Sequence, residues 1–181
     1  MSRDCQGLID QLAARKGKNF ITRAEALTPV IHMLGYKVIW SPKVPDDIFA
    51  YTNFDDRRVI LAKNLRSRLD FPESFQALVH ATLAHELGHI RMHASAALRG
   101  KRELRWENEA YSYSYAFLVP YKELMNEPEC RILRAGLLQD QETLWKNVLR
   151  LAEVYRVSGA FMAIVLQRYG VIKFDHWNRT I

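Results

Sequence analysis

The chain has 181 residues and a mass of 21.1 kDa, a size at which one compact domain is the most common arrangement. Apolar residues make up 49% and charged residues 25% of it, which excludes a disordered or low-complexity protein. The net charge of +6 is too moderate to indicate a nucleic-acid partner, and we expect no direct nucleic-acid binding. The longest apolar stretch, residues 159–166, is far shorter than the roughly 18 residues of a membrane-spanning helix, so no membrane partner is expected.

Residues 1–7 are polar and are not followed by an apolar segment, so we expect no signal peptide and predict a cytoplasmic protein. Cys5 and Cys130 are far apart and lack the spacing of metal ligands, which favours reduced thiols without a catalytic role.

The N-terminal part, residues 1–35, is predicted to be helical. Apolar residues recur at helical spacing over 7–15 and 23–34, Thr22 and Glu25 have the spacing of a capping box, and Gly35 ends the second helix.

After Gly35 the spacing of the apolar residues changes. Residues 37–40, 48–51 and 59–62 are short, rich in β-branched and aromatic residues, and separated by turn formers, which predicts a small antiparallel sheet.

The strongest helix is predicted over residues 71–93, opened by Asp70 and burying a stripe of Phe75, Leu78, Val79, Thr82 and Leu83. A second helix spans 106–119 and ends at Pro120. Residues 121–181 are again predicted to be helical. In this part the segment 151–170 has the outline of a helix-turn-helix, but its second helix is almost wholly apolar, which favours a core helix over one that contacts DNA.

These elements predict a mostly helical α+β protein with a small sheet before its central helix. We expect one domain over 1–181, with a helical N-terminal part (1–35), a part with the sheet and two site helices (36–120), and a helical C-terminal part (121–181).

The central helix contains the motif His85-Glu86-Leu87-Gly88-His89. Residues four apart lie on one face of a helix, about 6 Å apart along its axis, so two imidazoles can converge on one metal ion. Because the surrounding helix is apolar, buried His and Glu side chains would be costly without such an ion.

Glu107 is the favoured third ligand, because it precedes an apolar series on the next helix and is expected to face inward. Glu103 and Glu109 are rival carboxylates, but Glu109 is expected to point toward solvent, about 160° around the helix from Glu107. His93 follows His89 by one turn but would lie ~12 Å along the axis from His85, too far to share an ion in a straight helix.

Two imidazoles and one carboxylate leave an open position on a tetrahedral Zn²⁺, the arrangement of a catalytic site. The ion would polarise a peptide carbonyl and lower the pKa of water, and Glu86 would accept the proton and pass it to the leaving amine. Zn²⁺ is thus the expected cofactor, with Mn²⁺ as a second candidate. An edge strand of the sheet, 48–51 or 59–62, is a candidate for pairing with an extended peptide substrate.

The motif pair resembles the ImmA/IrrE metallopeptidase family. That family combines HExxH with a downstream E-x-x-A-x-x-F-A-x-x-L-L-M-P, and this chain matches its register from Glu107 through Ala110 to Pro120. The departures are Tyr113 for Phe, Ser114 for Ala, Phe117 for Leu and Val119 for Met, and they leave the ligand positions intact. The resemblance covers about residues 24–170.

The resemblance implies a zincin-like (minigluzincin) domain and a cytoplasmic zinc endopeptidase. By motif position, His85, His89 and Glu107 would hold the metal and Glu86 would be the general base. Such proteins cut or inactivate a helix-turn-helix repressor and so derepress genes of a mobile element or a stress response. The resemblance leaves the oligomeric state unknown and the oxyanion-stabilising residue open among Tyr111, Tyr113, Tyr115, His80 and His93. The alternative function is a non-catalytic, metal-stabilised regulator or toxin-antitoxin-type module that binds a repressor.

Overall fold

The computed structural model describes residues 3–15, 22–68, 75–100, 103–136 and 140–173. These residues form eight α-helices and a three-stranded sheet, which confirms the predicted α+β class. The chain divides into two compact units, Met1–Leu118 and Val119–Ile181. The expectation of one domain over the whole chain stays a prediction.

The first unit begins with two helices, α1 (Arg3–Arg15) and α2 (Arg23–Met33). The predicted capping box is present: the Thr22 hydroxyl accepts from the Glu25 amide, and the Glu25 carboxylate accepts from the Thr22 amide. Gly35 follows with a φ of 85°, a left-handed conformation that favours glycine and ends the helix as predicted.

Three strands follow: β1 (Lys37–Ser41), β2 (Ala50–Asn53) and β3 (Arg58–Ala62). Their order in the sheet is β1-β3-β2; β2 pairs antiparallel with β3, whereas β1 pairs parallel with it. The prediction of an antiparallel sheet is therefore wrong for one of the two pairs. It assumed that successive strands are neighbours, but the segment 42–49 places β2 beyond β3, and the tight turn at 54–57 returns β3 between the other two.

The sheet packs on the beginning of the long helix α3 (Phe75–Ala97). Ile60 and Ala62 of β3 form a buried cluster against which Phe75, Leu78 and Val79 pack. Phe75, Leu78 and Val79 are partly buried, and Thr82 and Leu83 are buried, so the predicted stripe faces the protein interior but is only partly covered at its start. The predicted cap, Asp70, lies outside the described residues. The helix continues four residues beyond its predicted end, through the helix-favouring segment 94–97.

The next helix, α4 (Trp106–Leu118), packs closely on α3. A Cβ atom added at Gly88 would lie 2.9 Å from Ala110 Cα and 3.0 Å from the Ala110 carbonyl oxygen. Because real Cβ atoms do not approach a backbone so closely, the crossing of the two helices requires glycine at this position.

The second unit contains α5 (Tyr121–Leu124), α6 (Pro128–Arg134), α7 (Gln141–Tyr155) and α8 (Gly159–Arg168). Ser158 caps α8 as predicted, its hydroxyl accepting from the Phe161 amide. Met162, Val165 and Leu166 of α8 are buried, as expected of a core helix. Within the described residues, none of the helices is both long and apolar enough to cross a membrane.

Gly88→Ala tests the close helix crossing. Alanine favours a helix over glycine by about 1 kcal/mol, whereas overpacking a tight contact costs about 1–3 kcal/mol. We therefore expect the variant to be less stable than the wild type and to melt a few degrees lower in a calorimetric scan.

The control is Gly7→Ala in α1, where an added Cβ would meet nothing within 4 Å. This variant should be as stable as the wild type or slightly more stable. A Gly88→Ala protein that gained stability as Gly7→Ala does would show that the crossing tolerates a methyl group.

Candidate metal centre

The two histidines of the motif converge on the same point beside α3. Their Nε2 atoms are 3.1 Å apart, and the ring planes are nearly perpendicular at 78°. Both side chains are partly buried, each 13% exposed. The four-residue spacing thus produces the predicted convergence.

Glu107, in the first turn of α4, completes the cluster. Its Oε2 lies 3.2 Å from His85 Nε2, and its Oε1 lies 3.3 Å from His89 Nε2. The expectation that Glu107 faces inward is wrong, because its side chain is 65% exposed. The buried face of α4 runs through Ala110, and Glu107 reaches the histidines from the rim of the crossing.

These three residues could hold one metal ion. Each offers one ligand atom, and the three atoms all lie within 4.8 Å of one another. A tetrahedral Zn²⁺ with bonds of ~2.0–2.1 Å places its ligand atoms about 3.3–3.4 Å apart, close to the contacts of 3.1–3.3 Å found here. The donor set and its spacing therefore fit a zinc-sized ion.

Burial keeps both imidazoles in the form that binds metals. The pKa of His89 is lowered to about 4, chiefly by desolvation and also by the neighbouring His85, against the opposing effect of Glu107. Desolvation also lowers the pKa of His85, again against Glu107. Since only a neutral imidazole can ligate, both rings are prepared for metal binding at neutral pH.

Glu86 lies on another face of α3, buried to 4% exposure. Its Oε2 accepts a hydrogen bond of 2.7 Å from the Thr52 hydroxyl of β2. Burial raises the pKa of Glu86 to about 7; the Thr52 hydrogen bond lowers it, and the charge of Glu107 raises it. The carboxyl group can therefore both accept and release a proton near neutral pH.

His93 is not part of the ligand group that the structure describes. It is buried, with its Nδ1 3.1 Å from His89 Nδ1 and its Nε2 2.9 Å from Glu109 Oε2. The expectation that Glu109 points to solvent is wrong, since its side chain is only 34% exposed and contacts His93. A projection of α4 as an isolated helix does not show this contact. The two helices cross so closely that Glu109, on the side of α4, also reaches α3.

Sequence reasoning did not identify Thr52 or the contact between His93 and Glu109. The spacing of His89 and His93, one helical turn, was a signal for their contact. Nothing in the sequence pairs Thr52 with Glu86, because the two residues are 34 positions apart. Of the residues considered for oxyanion stabilisation, Tyr111 lies against His85, with ring centroids 4.3 Å apart.

Residues 80–167 match the family model Peptidase_M78, described as the IrrE N-terminal-like domain. The matched segment includes His85, Glu86, His89 and Glu107. Over these residues the chain is similar to the IrrE N-terminal-like domain, which confirms the resemblance to the ImmA/IrrE family.

Comparisons with curated proteins and solved structures gave weaker similarity than the family model. No curated protein matches the chain. A solved structure of a Mycobacterium tuberculosis transcriptional regulator is 14% identical, with a TM-score of 0.45 over 89% of this chain and 46% of that chain. The chain thus spans about half the length of that regulator.

The raised pKa of Glu86 predicts a pH-dependent stability of the metal-free protein. Unfolded Glu86 loses its proton near pH 4.5, whereas the folded group retains it up to about pH 7. Between these values the folded state binds more protons, so the Glu86 contribution to stability falls as pH rises. Glu86→Gln removes this contribution. From pH 4.5 to above pH 7, the free energy of unfolding of the variant should therefore rise by about 3 kcal/mol relative to that of the wild type.

Urea unfolding of both metal-free proteins at several pH values measures this difference. A difference that stays constant over the range would contradict a buried, protonated Glu86.

Proposed function

We propose that this protein is a zinc-dependent endopeptidase that cleaves one specific protein partner. The observation that carries the proposal is the convergence of two imidazoles and the Glu107 carboxylate, in a segment similar to a peptidase family, with Glu86 in the same turn of α3 as the two histidines. A site that only stabilised the fold would have no use for a buried carboxyl group with a pKa of about 7.

The ion held by His85, His89 and Glu107 would act as a Lewis acid on water and on the scissile carbonyl. Glu86 would supply the proton transfers: its carboxylate accepts a proton from water, and the resulting acid returns that proton to the leaving amine. A pKa of about 7 suits both halves of this cycle, because neither protonation state is strongly favoured at neutral pH.

Thr52 would orient Glu86 for these transfers. Its hydroxyl donates to Oε2, which fixes the plane of the carboxyl group, and it can do so whether the other oxygen is protonated or not. The same contact places β2 beside the site.

The strand β2 is the edge strand best placed to bind an extended substrate. The other candidate from the sequence, residues 59–62, belongs to β3 at the centre of the sheet and pairs on both sides. Ala62 donates its amide to the Phe49 carbonyl, so the alternation of an antiparallel ladder turns the amides of Ala50 and Thr52 toward the free edge. A peptide that paired there would lie next to Glu86.

The proposed substrate is a helix-turn-helix transcriptional repressor, cut in the cytoplasm so that genes of a mobile element or a stress response are derepressed. Support for this partner comes from the motif pair of the ImmA/IrrE family, His85 to His89 and Glu107 to Pro120.

Metal content and cleavage together test the proposal. Wild type and Glu86→Gln should each hold about one Zn²⁺ after purification, because Glu86 is not a ligand, whereas His85→Ala and Glu107→Ala should lose it. The wild type should cut a helix-turn-helix repressor encoded beside its gene, and Glu86→Gln should cut it more slowly by a factor of at least about 10².

Atomic emission measures the metal, and a gel assay measures the cleavage. If Glu86→Gln binds zinc and regulates the repressor as well as the wild type, the protein is a metal-stabilised binding module and the peptidase proposal fails.

Ala50→Pro tests substrate pairing with β2. Proline at this position removes an amide that faces the free edge and leaves the pairing of β2 with β3 intact. We expect repressor cleavage at limiting substrate to fall about tenfold or more while zinc content is unchanged. Unchanged cleavage by a folded, zinc-loaded variant would exclude pairing at this edge.

A further inference from the structure

We propose that Glu109 and His93 are positioning residues that fix which nitrogen of His89 carries its proton, so that Nε2 of His89 is free to bind the metal. This inference rests on the metal role proposed above for His89. It gives a role to two polar side chains beside the site, the buried His93 and the partly buried Glu109. Neither of them belongs to the proposed ligand set or is the proposed proton carrier.

The groups form a continuous chain of hydrogen bonds from the surface to the ligand cluster. Glu109 Oε2 lies 2.9 Å from His93 Nε2, and His93 Nδ1 lies 3.1 Å from His89 Nδ1. The opposite nitrogen of His89, Nε2, faces His85 and Glu107. In both His93 and His89, one ring nitrogen thus faces the Glu109 end of this chain of hydrogen bonds, and the other faces the metal cluster.

The chemistry of the groups sets the direction of these hydrogen bonds. A carboxylate can only accept, so His93 must donate from Nε2 to Glu109. An imidazole that binds a metal through Nε2 carries its proton on Nδ1, and Nδ1 of His89 lies 3.1 Å from Nδ1 of His93, which can accept a hydrogen bond from it. The chain of hydrogen bonds therefore matches the tautomer of His89 that has no proton on Nε2, the atom that faces the other candidate ligands.

His93 is held rigidly enough to enforce this arrangement. Its side chain is 3% exposed, and its ring stacks on Trp106 with centroids 4.6 Å apart and planes within 1° of parallel. Arg105 Nε lies 3.6 Å from Glu109 Oε1, so a positive charge stands at the outer end of the hydrogen-bond chain.

The two histidine ligands differ in this respect. Among the described residues, the Nδ1 atom of His85 is buried without a hydrogen-bond partner. The orientation and tautomer of His89 are therefore fixed before metal arrives, whereas those of His85 are set by its contacts at Nε2. Groups that accept a hydrogen bond from a metal-binding histidine typically raise metal affinity by 10- to 100-fold.

The first variant, His93→Phe, keeps an aromatic ring against Trp106 but cannot accept the proton of His89. We expect its dissociation constant for Zn²⁺, measured by competition with a chromophoric chelator, to rise about 10- to 100-fold. Glu109→Gln is the conservative control, since its amide oxygen still accepts from His93, and it should stay within about threefold of the wild type. Glu109→Ala, which has no acceptor, should weaken zinc binding about tenfold.

The second measurement uses the metal-free protein and does not depend on activity. Long-range ¹H–¹⁵N correlation spectra report which nitrogen of each imidazole carries the proton. We expect His89 to be protonated at Nδ1 in the wild type and in Glu109→Gln, and to show a mixture of tautomers in His93→Phe and Glu109→Ala.

A wild-type His89 protonated at Nε2 would overturn the inference, as would Glu109→Ala binding Zn²⁺ as tightly as Glu109→Gln. Because the two Glu109 variants change a half-exposed residue, they carry the test even if His93→Phe does not fold. Failure of the proposed function gives a different result: a wild type that binds no zinc, with the tautomer of His89 still fixed at Nδ1.

Discussion

The close approach of α3 and α4 is the constraint on which the rest of the site depends. Gly88 meets the backbone of Ala110 at a distance that no side chain could occupy. This crossing brings Glu107, from the rim of α4, to within 3.3 Å of the two histidines of α3. Glycine destabilises a helix by about 1 kcal/mol relative to alanine. Here it allows the close crossing that brings three residues from two separate helices together.

A single physical cause, removal from water, sets the protonation states around the cluster. It lowers the pKa values of His85 and His89 and raises that of Glu86, so all three groups favour their neutral forms. Neutral imidazoles are what a metal ion requires, and a carboxyl group poised near pH 7 is what reversible proton transfer requires. Burial therefore shifts the pKa values of the candidate ligands and of Glu86 in the directions that the proposed roles require.

Elements outside the HExxH helix complete this arrangement through hydrogen bonds. Thr52 of β2 fixes Glu86, while His93 and Glu109 extend from His89 to the surface of α4. The mixed order of the sheet contributes to the first contact, because it places β2 at an edge, where Thr52 can reach Glu86 and the free side of the strand faces outward. The candidate metal ligands, Glu86 and the edge strand β2 therefore lie in the same unit of the chain.

The sequence by itself determined the helices, the capping box at Thr22, the convergence of His85 and His89, and Glu107 as the third member of the cluster. The helices, the capping box and the convergence of the histidines follow from periodicity and from spacing within one helix, which are local properties, whereas Glu107 follows from the downstream motif of the ImmA/IrrE family. Only the tertiary structure decided that β1 and β3 run parallel, that Thr52 contacts Glu86, and that Glu107 is exposed while Glu109 contacts the buried His93. Those features depend on which strand lies between two others and on the distance at which two helices cross, and neither is encoded in the period of a single element.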